Sequence, residues 1–359
     1  MPFPAASADD DRLIPVAELR AQVLRIFLAA GSDAREAGLI ADHLVLANLL
    51  GHDSHGISLI PLYLRMVREK KVAPNTHPTI VQDAGALLTL DGGRGFGQAV
   101  AHEAMATAIA RTAELGSVIL SLRNSHHVGR IGHWAEQCAA AGLVSLHFVN
   151  VIGGEPVVAP YAGSDARLHT NPIAIGMPRS GQPPLVLDFA TSRVAQGKMR
   201  VAMNRGIAVP DGYLIDAQGR PTTDPSVVYR PPMGALLPFG EYKGSGLALM
   251  CDLLAGALSG AGTSHPGTLE QDLYLNNMFS VLVDPARLGG AATWQQEIEA
   301  GLAFHRASPP RAGQGPVLLP GEPERATRRR REQEGIPVDR TTWSLIAEAA
   351  RAFGIEIPL

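Results

Sequence analysis

Three observations predict an α/β fold with helical regions at both ends. Short apolar segments alternate with helical ones between residues 79 and 149. Amphipathic helical periodicity fills the first fifth of the chain and returns after residue 293. Between these regions the chain is rich in turns and short strands. Alternation of this kind is the pattern of strands covered by helices in a layered domain.

In order, 16–30 and 34–50 carry apolar residues at spacings of three and four, with Ser32 and Asp33 as capping candidates between them. The second helix runs into the polar cluster Gly51-His52-Asp53-Ser54-His55-Gly56, and a third helix is expected over 57–70. Pro74 and Pro78 then break the pattern and mark a boundary. Strands are expected at 86–90, 117–122 and 143–149, with helices at 99–114 and 131–141. Beyond Gly153 come strands at 173–177, 185–189 and 279–283, and one strong helix at 244–258. The basic run 328–331, with glutamates on both sides, is expected as a solvated helix face.

The chain has 359 residues, 46% hydrophobic and 18% charged, which gives ample material for a core and too little charge for disorder. Its formal net charge of −3 argues against general affinity for nucleic acid or anionic membranes. Two cysteines, Cys138 and Cys251, build no disulfide framework. The acidic opening MPFPAASADDDRL lacks the basic flank and apolar stretch of a signal peptide, and no apolar run approaches the ~18 residues of a membrane span. The expectation is a soluble, cytoplasmic protein.

Gly92-Gly93-Arg94-Gly95-Phe96-Gly97, between a strand and a helix, invites a dinucleotide-loop assignment. The glycine spacing fails, and the next strand ends in Ser121-Leu122-Arg123-Asn124 with no acidic residue to hold a ribose. A tight turn feeding a helix explains the segment better. The histidines carry more information: His52 and His55 flank Asp53 and Ser54, and Ser125-His126-His127-Val128-Gly129 ends a strand. A metal site would want a His pair four apart with a carboxylate, which is absent. Against a Ser-His hydrolase, Ser54 and His55 are adjacent, and adjacent side chains on a helix do not face each other. No GxSxG elbow exists either. Each histidine alone suits an ordinary surface role. Two glycine-flanked clusters together favour acid–base chemistry. Asp188 closes an apolar strand and suits a histidine partner, while Lys243 opens an apolar helix among glycines and suits an anion.

The segments GHDSHGISLIPLY, SHHVGRIGHWAEQCAAAGLVS, HTNPIAIGMP, LDFATSRVAQGK, DGYLIDAQGRPTTDP, EYKGSGLALMCDLLAGALSG and LPGE span nearly the whole chain. In that order they resemble the malate/L-lactate dehydrogenase family, which lacks a Rossmann fold and includes sulfolactate dehydrogenases. Within it they are most similar to the hydroxycarboxylate dehydrogenase B branch. The resemblance implies a large mixed or antiparallel sheet that binds a nicotinamide cofactor, NAD or NADP, without GxGxxG. It further implies a homodimer acting on a small 2-oxoacid or 2-hydroxyacid.

The resemblance assigns catalysis to His55 as proton donor, Ser54 as the adjacent hydroxyl, Asp188 as the carboxylate polarising the histidine, and His127 as a second active-site histidine. Cofactor contacts fall to His127, Val128, Gly129, Arg130, Ile131, Asn150, Val151, Thr170, Asp188, Phe189, Ala190, Lys243, Pro320, Gly321 and Glu322. The implied domains are a helical 1–75 carrying the Ser-His motif, a cofactor-binding 120–290, and a discontinuous α/β body of 76–119 with 291–359. Where many family members place a carboxylate-gripping arginine, four residues after the catalytic histidine, this chain has Leu59. Arg130, Lys243 or Arg65 then replaces it, or the substrate presents a bulky, apolar or aromatic group there. Malate/lactate or ureidoglycolate activity is the alternative within the family. From other classes, a metal-dependent hydrolase using His52, His55 and His127 and a catalytically silent binding protein remain.

Overall fold

The computed structural model describes residues 11–204, 206–269 and 272–357. The acidic opening 1–10, read above for leader features, lies outside the described residues. The chain forms two compact units, one running to Asn75 and resuming at Pro323, the other Thr76–Glu322. Residues 76–119 and 291–322 therefore pack with 120–290, and those from 323 onward pack with the N-terminal helices.

In the first unit, helices Val16–Ala29 and Ala34–Leu49 bury Val23, Phe27, Ile40 and Leu44, as their periodicity requires. Asp33 caps the second, accepting the Glu36 N–H at 2.7 Å. The helix expected over 57–70 arrives in two pieces, a 3₁₀ turn Ile57–Leu59 and an α-helix Ile60–Arg68. Pro61 is the reason: lacking an N–H and fixed in φ, it belongs in a first turn. Strands Asp11–Ile14 and Ile336–Asp339 pair antiparallel, and helix Arg340–Arg351 follows. On helix Glu322–Glu334 the basic run is not uniformly solvated, because Arg331 is buried and committed to partners across the unit.

The second unit is built on a seven-stranded mixed sheet, in the order Thr79–Ala84, Leu87–Asp91, Ser117–Ser125, Leu275–Val283, Val144–Ile152, Ile173–Arg179 and Gln182–Phe189. Only Leu87–Asp91 and Ser117–Ser125 run parallel, joined by helix Gly97–Leu115; the other neighbours are antiparallel. Leu120, Leu122, Met278, Leu282 and the fully buried Trp134 share one core under the helices. The glycine-rich turn accepts its place through backbone proximity: a Cβ on Gly97 would lie 2.2 Å from the His127 carbonyl oxygen. Helix Tyr242–Asp252 continues into a π turn Leu253–Ala257. Among the described residues no helix is long and apolar enough to cross a membrane.

Candidate functional site

Strand register gathers much of the implied site at one end of the large sheet. Asn276 opposes both Ser125 and Val151, Leu275 opposes Ile152, and Ile173 opposes both Phe148 and Phe189. The segments leaving those strand ends, 126–131, 150–154, 169–172 and 188–191, therefore emerge together. The Thr191 amide and hydroxyl both donate to the Thr170 carbonyl, at 2.9 and 2.8 Å, and Asn171 donates to the Ala248 carbonyl of helix Tyr242–Asp252 at 3.0 Å. Loops at strand ends are where binding groups collect, because rigid elements hold them.

Asp188 anchors this end. Its Oδ2 accepts the Gly132 N–H at 2.9 Å and lies 3.8 Å from the Arg130 guanidinium, which is 3% exposed and also hydrogen-bonded to Glu136. Arg130, one of the three cations offered as a substitute at the Leu59 position, thus has two carboxylates for partners. Glu136, whose sequence context as one helical Glu among alanines offered no signal, completes the chain of charges.

Burial separates residues that build the site from residues that line it. Val128, Gly129, Ile131 and Asn150 are buried. The Asn150 amide donates to Asp252 at 2.9 Å and to the Gly262 carbonyl at 3.2 Å, and its Oδ1 accepts from Asn277 at 2.9 Å. His127, Val151, Thr170, Phe189 and Ala190 are half-buried, and Lys243 is exposed. Of the histidine pair, His126 points inward against Phe96, and burial pushes its pKa down to about 4. His127 is the member on the accessible side. Sequence reasoning missed Asn276 and Asn277, which join the two loops: Asn276 accepts the Val128 N–H at 2.9 Å and donates to the Asn150 carbonyl at 3.0 Å, while Asn277 accepts the Asn124 N–H at 2.9 Å. Two adjacent asparagines opening an apolar strand were the available signal. A bulge between Asn276 and Met278 accommodates them.

Pro320, Gly321 and Glu322 belong to a different neighbourhood of the same unit. Glu322 accepts the Leu319 N–H at 2.8 Å and pairs with Arg306, near Arg179 at the hairpin end of its strand.

Ser54, His55, Leu59 and Arg65 lie in the first unit. Ser54 and His55 sit on a 3₁₀ turn, Asp53–His55, and Ser54 Oγ is 3.0 Å from His55 Nδ1. The expectation that these neighbours would not meet is corrected here, since it assumed α-helical geometry. Nδ1 accepts from the Ser54 hydroxyl in the Nε2–H tautomer and donates to it when the ring is protonated on Nδ1. Leu59 closes the following 3₁₀ turn, half-buried, and Arg65 is exposed on the next helix. Among the described residues no group of three or more His, Cys, Asp or Glu is placed to hold a metal ion.

The Asp188 loop cluster and the Ser54-His55 turn each carry polar, titratable side chains suited to small-molecule chemistry. The family model for malate/L-lactate dehydrogenase matches residues 14–347. Hydroxycarboxylate dehydrogenase B of Escherichia coli (strain K12) is 49% identical over 339 residues, covering 94% of this chain and 93% of that one. The L-lactate dehydrogenase of Cupriavidus necator is 41% identical over 340 residues, 94% and 97% of the two chains. A solved Escherichia coli structure of malate/lactate dehydrogenase type superposes with a TM-score of 0.92 at 47% identity, covering 96% of each chain. The chain belongs to the malate/L-lactate dehydrogenase family, and these relatives support 2-hydroxyacid oxidoreduction.

Proposed function

We propose that this chain is a nicotinamide-dependent dehydrogenase interconverting 2-oxoacids and 2-hydroxycarboxylates with bulky or aromatic side chains, using NAD, with NADP as the alternative. The carrying observation is the gathering of half-buried His127, Val151, Thr170, Phe189 and Ala190 around Asp188 at one sheet end. These residues fit the cofactor. An amide-bearing flat ring wants apolar surface, such as Val151 and Phe189, beside polar groups, such as Thr170 and Asp188. Since this sheet is mixed, such binding would proceed without a doubly wound parallel scaffold. Bound there, reduced nicotinamide supplies a hydride to the substrate carbonyl carbon.

The chain's own residues do the rest. His55 delivers one proton to the carbonyl oxygen, since imidazole titrates near neutral pH. As imidazolium the ring donates Nδ1–H to Ser54 Oγ and gives the substrate its Nε2 proton, which leaves a neutral ring protonated on Nδ1. Asp188, through the Gly132 N–H and Arg130, orders the loop cluster proposed to hold the cofactor. With Arg130 held by Glu136 and Asp188, exposed Lys243 is the cation we assign to the substrate carboxylate. Leu59 meets the substrate side chain.

A homodimer accompanies this function. Tyr242, Leu249 and Leu253 stand exposed at i, i+7 and i+11, which share one helix face, with Tyr161 beside Tyr242, and an apolar face of this kind is ordinarily covered. Light scattering in solution reads the mass directly.

The test is a panel of 2-oxoacids assayed with NADH and with NADPH on the native chain and on His55→Ala. His55→Ala is expected to lower turnover by at least ~10²-fold with little change in cofactor affinity. Near-normal turnover in that variant transfers the proton to His127, and no turnover of any 2-oxoacid by the native chain sinks the proposal.

A further inference from the structure

We propose that Arg331, on helix Glu322–Glu334, is the positioning residue that holds the Ser54-His55 turn in its working geometry. The inference rests on the proton-donor role proposed above for His55. The turn itself is short, three residues of 3₁₀ helix, and such a turn has little stability of its own. It must be held from outside.

The holding group is Asp53, the first residue of the turn. Arg331 Nη1 donates to Asp53 Oδ1 at 2.6 Å and Nη2 donates to Oδ2 at 3.0 Å, a two-pronged pair that fixes the carboxylate in both position and plane. The same guanidinium donates to the Asn48 carbonyl at the end of the preceding helix. Asn48 closes the frame with its side chain, donating to Asp53 Oδ1 at 2.7 Å and accepting the Ile57 N–H at 2.8 Å. The turn is thus pinned just before Ser54 and just after Gly56. Two turns earlier on the Arg331 helix, Glu324 lies 3.7 Å from Nε2 of His52, the residue that precedes the turn. Arg331 is 9% exposed although it stands in a run of arginines, and its three exposed neighbours Arg328, Arg329 and Arg330 make no such frame. A purely solubilising arginine has no reason to be buried. Lysine, a single point donor, cannot reproduce the fork.

The experiment measures turnover and amide hydrogen exchange on the full chain for Arg331→Met, Arg331→Lys, Asp53→Asn and the double variant Asp53→Asn with Arg331→Met. Arg331→Met is expected to lower kcat by about 10- to 100-fold, the scale on which a displaced catalytic group acts, with KM for NADH changed by less than about threefold. Exchange of the 52–59 segment is expected to accelerate at least about tenfold while the large sheet keeps its protection. Arg331→Lys recovers part of kcat, and the double variant is no worse than Arg331→Met alone, because both single changes break one pair. Unchanged kcat and unchanged local exchange in Arg331→Met overturn the inference. So does loss of protection spread evenly over both units, which marks general destabilisation. If the native chain reduces no 2-oxoacid, the proposed function fails, and the exchange comparison still decides whether Arg331 holds the turn.

Discussion

Asp188 accepts the Gly132 N–H at 2.9 Å with the same oxygen that lies 3.8 Å from Arg130. The first turn of helix Gly132–Ala140 is therefore threaded between a carboxylate and a guanidinium, and position 132 has no room for a side chain. A Cβ there would sit 2.4 Å from Arg130 Nη1 and 2.7 Å from Asp188 Oδ2.

Gly132→Ala is accordingly expected to displace Asp188 or Arg130 and to cost about 1–3 kcal/mol of stability, as overpacking does. Turnover should fall at least about tenfold, because the carboxylate leaves its place. Gly38→Ala is the control: it lies in helix Ala34–Leu49 with nothing within 4 Å of a new Cβ, and should stabilise slightly. Urea denaturation and steady-state kinetics on both variants check the contrast. Equal effects at the two positions would contradict it.

Leu59 governs substrate choice if it meets the substrate side chain. Aryl-pyruvates should then exceed pyruvate in kcat/KM by about 10²-fold, at about 0.8 kcal/mol per buried methylene. Leu59→Arg should reverse the order, placing a charge where an aryl group sat and a carboxylate anchor where none was. Equal kcat/KM for pyruvate and phenylpyruvate in the native chain returns Leu59 to ordinary packing.

Acid should unfold the second unit through its buried histidines. Burial pushes His126 and His169 down to about 4 and His147 down to about 3, from 6.5. Folded, these rings stay neutral; in the unfolded chain they protonate below about 6.5, so unfolding takes up protons there. Their stabilisation is complete above about 6.5 and is lost as pH falls toward 4, each ring contributing about 1.4 kcal/mol per pH unit in that window. Denaturation at pH 7, 6 and 5 should show the midpoint falling. A flat midpoint would show that these rings titrate normally.

Local signals were legible. Helices expected at 16–30 and 34–50 occur as Val16–Ala29 and Ala34–Leu49, and Asp33 is the cap. The strand expected at 279–283 belongs to the longer Leu275–Val283. Its first residues were hidden because Asn276 and Asn277 break the apolar pattern, and the reason they do so lies more than 120 residues away, at Asn150 and Asn124. The turn at Asp53–His55 was legible as a helix end, but not that its geometry would bring Ser54 Oγ to His55 Nδ1.

By itself the sequence determined the α/β class, the positions of most helices and the motifs that mark the family. Those depend on periodicity, capping and residue order, all of which act over a few residues. Only the tertiary structure decided that strand Leu275–Val283 lies between Ser117–Ser125 and Val144–Ile152, and that His126 turns inward while His127 does not. It likewise decided that Arg130 and Arg331, indistinguishable from other arginines in the chain, are buried on Asp188 and Asp53. A charge's partner is chosen by packing between distant segments, where burial makes leaving it unpaired costly, and no short stretch of sequence encodes that choice.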